Sequence, residues 1–225
     1  MKTVIITGAS GNLGQAVVKK FLAEQYVVCG TVIPNDPVVI DIEEKNFEKI
    51  RVDLQQEEKA KQFIEQVIAR QGKIDVAVLT VGGFTMGDIA GTNIAAITGQ
   101  YKLNFETAYH VARPVFIQMM KQGSGRIFLI GSRPGLDMKN SKGMVAYGLT
   151  KSLIFRLAEL MNEEAKGTDL VTFVIVPSAI DTPQNRASMP DADFSKWQTP
   201  GSIADKIFLN AEMDITKLQE TVIKW

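Results

Sequence analysis

The segment Thr7-Gly8-Ala9-Ser10-Gly11-Asn12-Leu13-Gly14 constrains this chain more than any other, because of what flanks it. Before it runs Thr3-Val4-Ile5-Ile6, a short β-branched apolar run that suits a strand buried on both faces. After it comes Gln15-Ala16-Val17-Val18-Lys19-Lys20-Phe21-Leu22, whose apolar residues recur at helical spacing. A strand, a glycine turn and a helix in direct succession aim the free amides of the helix N-terminus at the turn. Those amides and the helix dipole favour an anion, and glycines let the backbone approach it closely. The expectation is a pyrophosphate-binding loop in which Gly8, Ser10, Gly11, Asn12, Leu13 and Gly14 touch a dinucleotide.

The rest of the chain repeats the alternation. Strand-like runs fall at 3–7, 27–33, 50–53, 76–81, 126–131 and 171–176, with helical patterns at 13–24, 57–71, 94–122 and 145–166. This order predicts an α/β fold, a doubly wound parallel sheet with helices on both faces. Pro34, Asn35, Asp36 and Pro37 mark a turn within an irregular 34–44 segment. Residues 177–200 break the alternation with prolines, methionines and Trp197, which suits a lid over a ligand. A short helix over 202–212 and a strand near 219–223 are expected to close the fold. At 225 residues, with no repeat or linker, the chain is read as a single domain over 1–225.

Bulk composition excludes several classes. Lys+Arg and Asp+Glu are both 25, so no charge excess points to nucleic acid or anionic lipid. No apolar run approaches a membrane span, and the first strand stands where a secretory leader would be, so a cytoplasmic location is expected. The one cysteine, Cys29, lies in the second strand pattern and is read as a small buried hydrophobe. The one histidine, His110, sits in a helix without cysteine companions, which argues for packing and against a metal site.

Tyr147 and Lys151 supply the chemistry. Four residues is about one helical turn, so both side chains leave one helix face. A phenol is a poor acid or base at neutral pH, and a nearby ammonium group favours its phenolate and lowers its pKa. Ser132 follows the strand Ile127-Phe128-Leu129-Ile130, at a carboxyl end of the sheet where ligands of such sheets bind. A hydride arriving at a C=O or C=N leaves negative charge on the heteroatom, and Ser132 and Tyr147 are donors suited to it. A locally bonded loop serine is the competing reading of Ser132.

The glycine loop, Asp53 after the third strand, Gly82-Gly83 after the fourth, Asn104, Ser132, Tyr147 and Lys151 together resemble the short-chain dehydrogenase/reductase family over nearly the whole chain. The resemblance implies a Rossmann-type fold and a catalytic set of Ser132, Tyr147, Lys151 and Asn104. Tyr147 would move the proton, Lys151 would lower its pKa and hold the nicotinamide ribose, Ser132 would bond the substrate oxygen, and Asn104 would help relay protons through water. It also implies cofactor contacts from Asp53, Leu54, Gly82, Lys151 and Pro177. For Asp53, a helix N-cap is the competing role. A homodimer or homotetramer through the helical patterns at 94–122 and 145–166 is implied as well.

Within that family, the segment from Asp181 to Trp197, Gly82-Gly83-Phe84 and Tyr147-Gly148-Leu149-Thr150-Lys151 are similar to dihydropteridine reductases. These reduce quinonoid dihydropterin to the tetrahydro form. Two departures stand out. Dihydropteridine reductases carry a small apolar residue where this chain has Ser132, and the serine is typical of carbonyl-reducing relatives. The acidic residue that gives them NADH preference is replaced by Val32, so the choice between NADH and NADPH leans to NADPH. Asp36 is nearby in sequence, with a direction that the sequence does not reveal. Arg186 suits either a ligand contact or a solvated charge. A carbonyl reductase of another small ketone or aldehyde is the alternative function, and a non-catalytic nucleotide-sensing protein is a third.

Overall fold

Buried β-branched runs form the middle of one parallel sheet. The computed structural model describes residues 1–38, 40–137, 139 and 141–225, so Val39 in the irregular 34–44 segment lies outside the described residues. The strands are β1 (Thr3–Thr7), β2 (Val27–Val32), β3 (Phe47–Arg51), β4 (Val76–Leu79), β5 (Ser124–Ile130), β6 (Asp169–Val176) and β7 (Val222–Lys224). They lie in the order β3-β2-β1-β4-β5-β6-β7 and every neighbouring pair is parallel. Consecutive strands step outward from β1 to β3 on one side, and from β4 to β7 on the other. The seam between β1 and β4 is therefore a topological switch point, where a crevice opens at the carboxyl ends of the strands.

The helices are α1 (Asn12–Ala23), α2 (Glu57–Gln71), α3 (Ile94–Tyr101), α4 (Thr107–Gln122), α5 (Arg133–Leu136), α6 (Val145–Glu164), α7 (Pro183–Ser188) and α8 (Pro200–Ala211). Residues of α2, α4 and α6 pack with one sheet face, and residues of α1 and α8 pack with the other. Both cores are apolar and continuous, which is what a sheet covered on two sides requires. The doubly wound expectation is met.

Local differences have physical causes. The third strand lies at Phe47–Arg51 rather than 50–53, because its residues are mixed and only partly buried at the sheet edge. Val52 is buried beyond the strand, so its apolar character marks the following turn. The 94–122 helix runs through, but Lys102–Glu106 form a π turn between α3 and α4. Helical periodicity cannot show such a turn, since one inserted residue leaves the flanking patterns intact. The 177–200 segment holds α7 and a 3₁₀ turn at Phe194–Lys196. Thr182 caps α7 by accepting from the Asn185 amide, at 3.2 Å. The closing strand is Val222–Lys224, displaced toward the end of the expected 219–223 run.

Candidate active site

At the switch point the glycine loop and its neighbours enclose a cleft of about 390 Å³. Gly8 adopts φ of 64°, the left-handed region that glycine tolerates, and turns the chain out of β1. A side chain at Gly14 would overlap the Gly8 carbonyl, so helix and loop close on each other only with glycine there. The N-terminus of α1 has no side-chain cap and no acidic residue in its first turn. Its amides are thus left for an anion, and the cleft fits a dinucleotide pyrophosphate. Ser10, Gly11, Asn12 and Leu13 line the cleft with Gly8 and Gly14.

Asp53, Leu54 and Gly82 line the same cleft. The Asp53 carboxylate accepts from the Gln55 amide at 3.1 Å and from Gln56 Nε2 at 2.7 Å, just before α2. It therefore shapes the turn into α2 while bordering the cleft. Leu54 offers its carbonyl to His110 Nδ1 at 2.9 Å, which gives His110 a structural task. Pro177 is buried beyond β6 and does not line the cleft wall. Asp36, whose direction the sequence left open, does line it and accepts from the Ser10 hydroxyl. The turn after β2 thus supplies a carboxylate to the cleft wall.

The four candidate catalytic residues converge beside this cleft. Gly82 marks the junction: a Cβ there would meet Asn104 Oδ1 at 2.7 Å and Lys151 Nζ at 3.3 Å. Asn104 sits in the π turn, 1% exposed, and clamps Gly83 with two bonds of 3.0 Å, one to its amide and one to its carbonyl. Its carboxamide also donates to Gln100 Oε1 at 2.9 Å. Lys151 Nζ donates to the Ile130 carbonyl at 2.8 Å and stands 5.9 Å from the Tyr147 ring centre. The Ser132 hydroxyl is buried without a hydrogen-bond partner.

The electrostatics differ from the sequence expectation. Burial pushes the Tyr147 phenol above its ordinary range, and the neighbouring Ser132 hydroxyl opposes that shift. Lys151 does not lower it, because burial brings Lys151 itself down to about 8 and its proton is directed to Ile130. In this state Tyr147 is a protonated donor at neutral pH, poised beside an unsatisfied hydroxyl. The Phe84 ring stands edge-on to Tyr147 at 5.0 Å between centres and is 56% exposed, and Met86 is 63% exposed. An exposed aromatic ring therefore lies next to the phenol.

The 177–200 segment reaches back over the cleft. Ile180 and Thr182 line it, and Asn12 Nδ2 donates to Gln184 Oε1 of α7 at 3.0 Å. Arg186 is engaged within the segment, bonded to Asp181 at 2.5 and 2.8 Å and stacked over Phe194 at 4.6 Å. The Asn12–Gln184 bond spans 172 residues of sequence, and nothing local signals it. The Ser10–Asp36 bond is likewise hidden, because a turn bounded by Pro34 and Pro37 sets its direction.

Comparison with known proteins places this geometry. A family model described as short chain dehydrogenase matches residues 2–193. A dihydropteridine reductase of Dictyostelium discoideum is 27% identical over 212 residues, covering 92% of this chain and 86% of that protein. An acetoacetyl-CoA reductase of an Acinetobacter strain is 26% identical over 197 residues, covering 84% and 79%. Among solved structures, ElxO with NADP bound superposes with a TM-score of 0.89 at 22% identity, covering 99% of this chain and 96% of that one. The aldohexose dehydrogenase of Thermoplasma acidophilum gives a TM-score of 0.84 at 20% identity, covering 99% and 91%. At those identities the two structures speak for the fold alone.

Proposed function

The chain belongs to the short-chain dehydrogenase family and is an NAD(P)-dependent oxidoreductase; from that premise we propose that it reduces a small planar ring, with quinonoid dihydropterin as the acceptor. One observation carries this reading: the Tyr147 phenol, kept protonated by burial, packs edge-on against the exposed Phe84 ring. A flat heterocycle can lie against such an aromatic edge and receive a proton from the phenol. The similarity to a dihydropteridine reductase over 92% of the chain supports it.

In this proposal the bound reduced nicotinamide supplies a hydride. Gly8 and Gly14 let the loop approach the pyrophosphate, and the α1 amides hold it. Asp53 and Leu54 border the adenosine end, and Gly82, Lys151 and Pro177 lie toward the nicotinamide end. Tyr147 alone protonates the acceptor atom, and Ser132 is not needed for that step. Asn104 holds the Gly82-Gly83 backbone in place and keeps Lys151 within reach of the ribose. Residues 177–200 act as the lid.

A second reading, reduction of a small ketone or aldehyde, is favoured by the unpartnered Ser132 hydroxyl, a ready donor to a carbonyl oxygen. The test follows the loss of reduced cofactor absorbance with quinonoid dihydropterin and, in parallel, with a panel of carbonyl compounds. Ser132→Ala should leave pterin reduction nearly intact and nearly abolish carbonyl reduction. Cofactor binding without turnover of the pterin would sink the first reading. A non-catalytic nucleotide sensor would require Tyr147→Phe to change nothing measurable.

We also infer a homodimer. Leu149, Leu153 and Leu160 are 52%, 37% and 53% exposed along one stripe of α6, and Tyr109 and Ile117 are exposed on α4.

A further inference from the structure

Resting on the dinucleotide assignment, we propose that Gln100 and Thr107 are positioning residues for the nicotinamide end of the cofactor. They staple the π turn from its two sides, so that Asn104 and Leu103 hold the Gly82-Gly83 backbone. In this turn the Thr107 amide donates to the Lys102 carbonyl, five residues back and one further than an α-helix uses. The carbonyl passed over, that of Leu103, accepts the Thr107 hydroxyl at 2.7 Å. Thr107 is 3% exposed, so this bond is largely sheltered from water.

On the other side of the turn, Gln100 of α3 accepts from Asn104 Nδ2 at 2.9 Å. The Gly83 carbonyl takes the second hydrogen of that amide, and the Gly83 amide donates to Oδ1. One lone pair is left on Oδ1, the atom that borders Gly82 together with Lys151 Nζ. Without Gln100, one N–H of the buried carboxamide would lack an acceptor, a cost that turning the side chain away from Gly83 relieves. Leu103 completes the seat, since a Cβ at Gly83 would meet its Cδ2 at 2.6 Å. Two adjacent residues of the turn thus bear on two adjacent glycines. Leu103, Thr107 and Gly82 line the dinucleotide cleft, whereas Gln100 does not and acts through Asn104.

The test is calorimetric titration of the full chain, free of any acceptor. NADH and NADPH are each compared with the same molecule lacking its nicotinamide, ADP-ribose and 2′-phospho-ADP-ribose, and the pair that the wild type binds more tightly is followed. Gln100→Leu and Thr107→Val should each weaken the dinucleotide about fivefold and leave its fragment within about twofold of wild type. Gln100→Glu keeps the acceptor oxygen and Thr107→Ser keeps the hydroxyl, so both should restore the wild-type ratio. A loss of stability alone would weaken dinucleotide and fragment together. That result, or an unchanged ratio in Gln100→Leu and Thr107→Val proteins of wild-type melting temperature, would overturn the positioning role. Binding of neither dinucleotide by the wild type would overturn the assignment it rests on.

Discussion

A lysine ammonium that is 4% exposed has lost most of its water, and Lys151 recovers one bond, to the Ile130 carbonyl. Burial lowers its pKa from 10.5 to about 8, so the folded protein sheds this proton before the unfolded chain does. Between those values the unfolded state binds more protons, and stability rises with pH across the window. Below it the folded state bears the full cost of the charge. Lys151→Met should therefore stabilise the protein near neutral pH by up to about 3 kcal/mol and flatten that pH dependence. Thermal melts at several pH values check this, and a lower melting temperature at pH 7 would refute it. The same variant should lose turnover. For reductive kcat/KM the sign reverses: activity should fall above about pH 8, as Lys151 loses its charge. Tyr147→Phe should cut turnover by about 10²–10⁴-fold with cofactor affinity nearly unchanged, since the phenol acts on the acceptor. Tyr147 and Lys151 were legible because helix spacing alone puts them on one face. Their protonation was not, since burial sets it and burial is a tertiary property.

Among the elements, α7 ties the 177–200 segment to the glycine loop. It is a six-residue helix, bonded within its own segment through Thr182, Asn185 and Arg186, and its Gln184 side chain meets the glycine loop at Asn12. An exposed bond of this kind contributes on the order of 1 kcal/mol. Gln184→Ala should accordingly speed cofactor release about fivefold, read by stopped-flow displacement, with little change in melting temperature. Release at the wild-type rate would show that α7 does not hold the cleft shut. The central strands were legible because burial on both faces leaves uninterrupted apolar runs. The edge strand β3 was not, since Phe47-Glu48-Lys49-Ile50-Arg51 mixes polar and apolar residues. The π turn around Asn104 left no trace in periodicity, although it positions the clamp on Gly83.

For the molecule as a whole, one exposed apolar stripe lies on α6 beside exposed residues of α4. The α6 stripe and the exposed residues of α4 suit a second copy of the chain, a proposal that mass can decide. Leu153→Glu with Leu160→Glu should halve the mass found by analytical ultracentrifugation and leave cofactor affinity intact. A wild-type protein that sediments as a monomer would end the dimer proposal.

The seam at Gly82 has a consequence of another kind. On one side of it, the loops after β1, β2 and β3 carry most of the groups that line the cleft, joined by Thr80, Val81 and Gly82 after β4 and by Ile180 and Thr182; on the other, the segments after β4 and β5 and the helix α6 lead to Asn104, Ser132, Tyr147 and Lys151. Phe84, which stands edge-on to Tyr147, belongs to a connection and not to the sheet. Mutation at Phe84 can therefore reshape the surroundings of the phenol without touching the residues that line the cleft. In a lineage built on this plan, the substrate is the part that can drift and the coenzyme the part that is inherited.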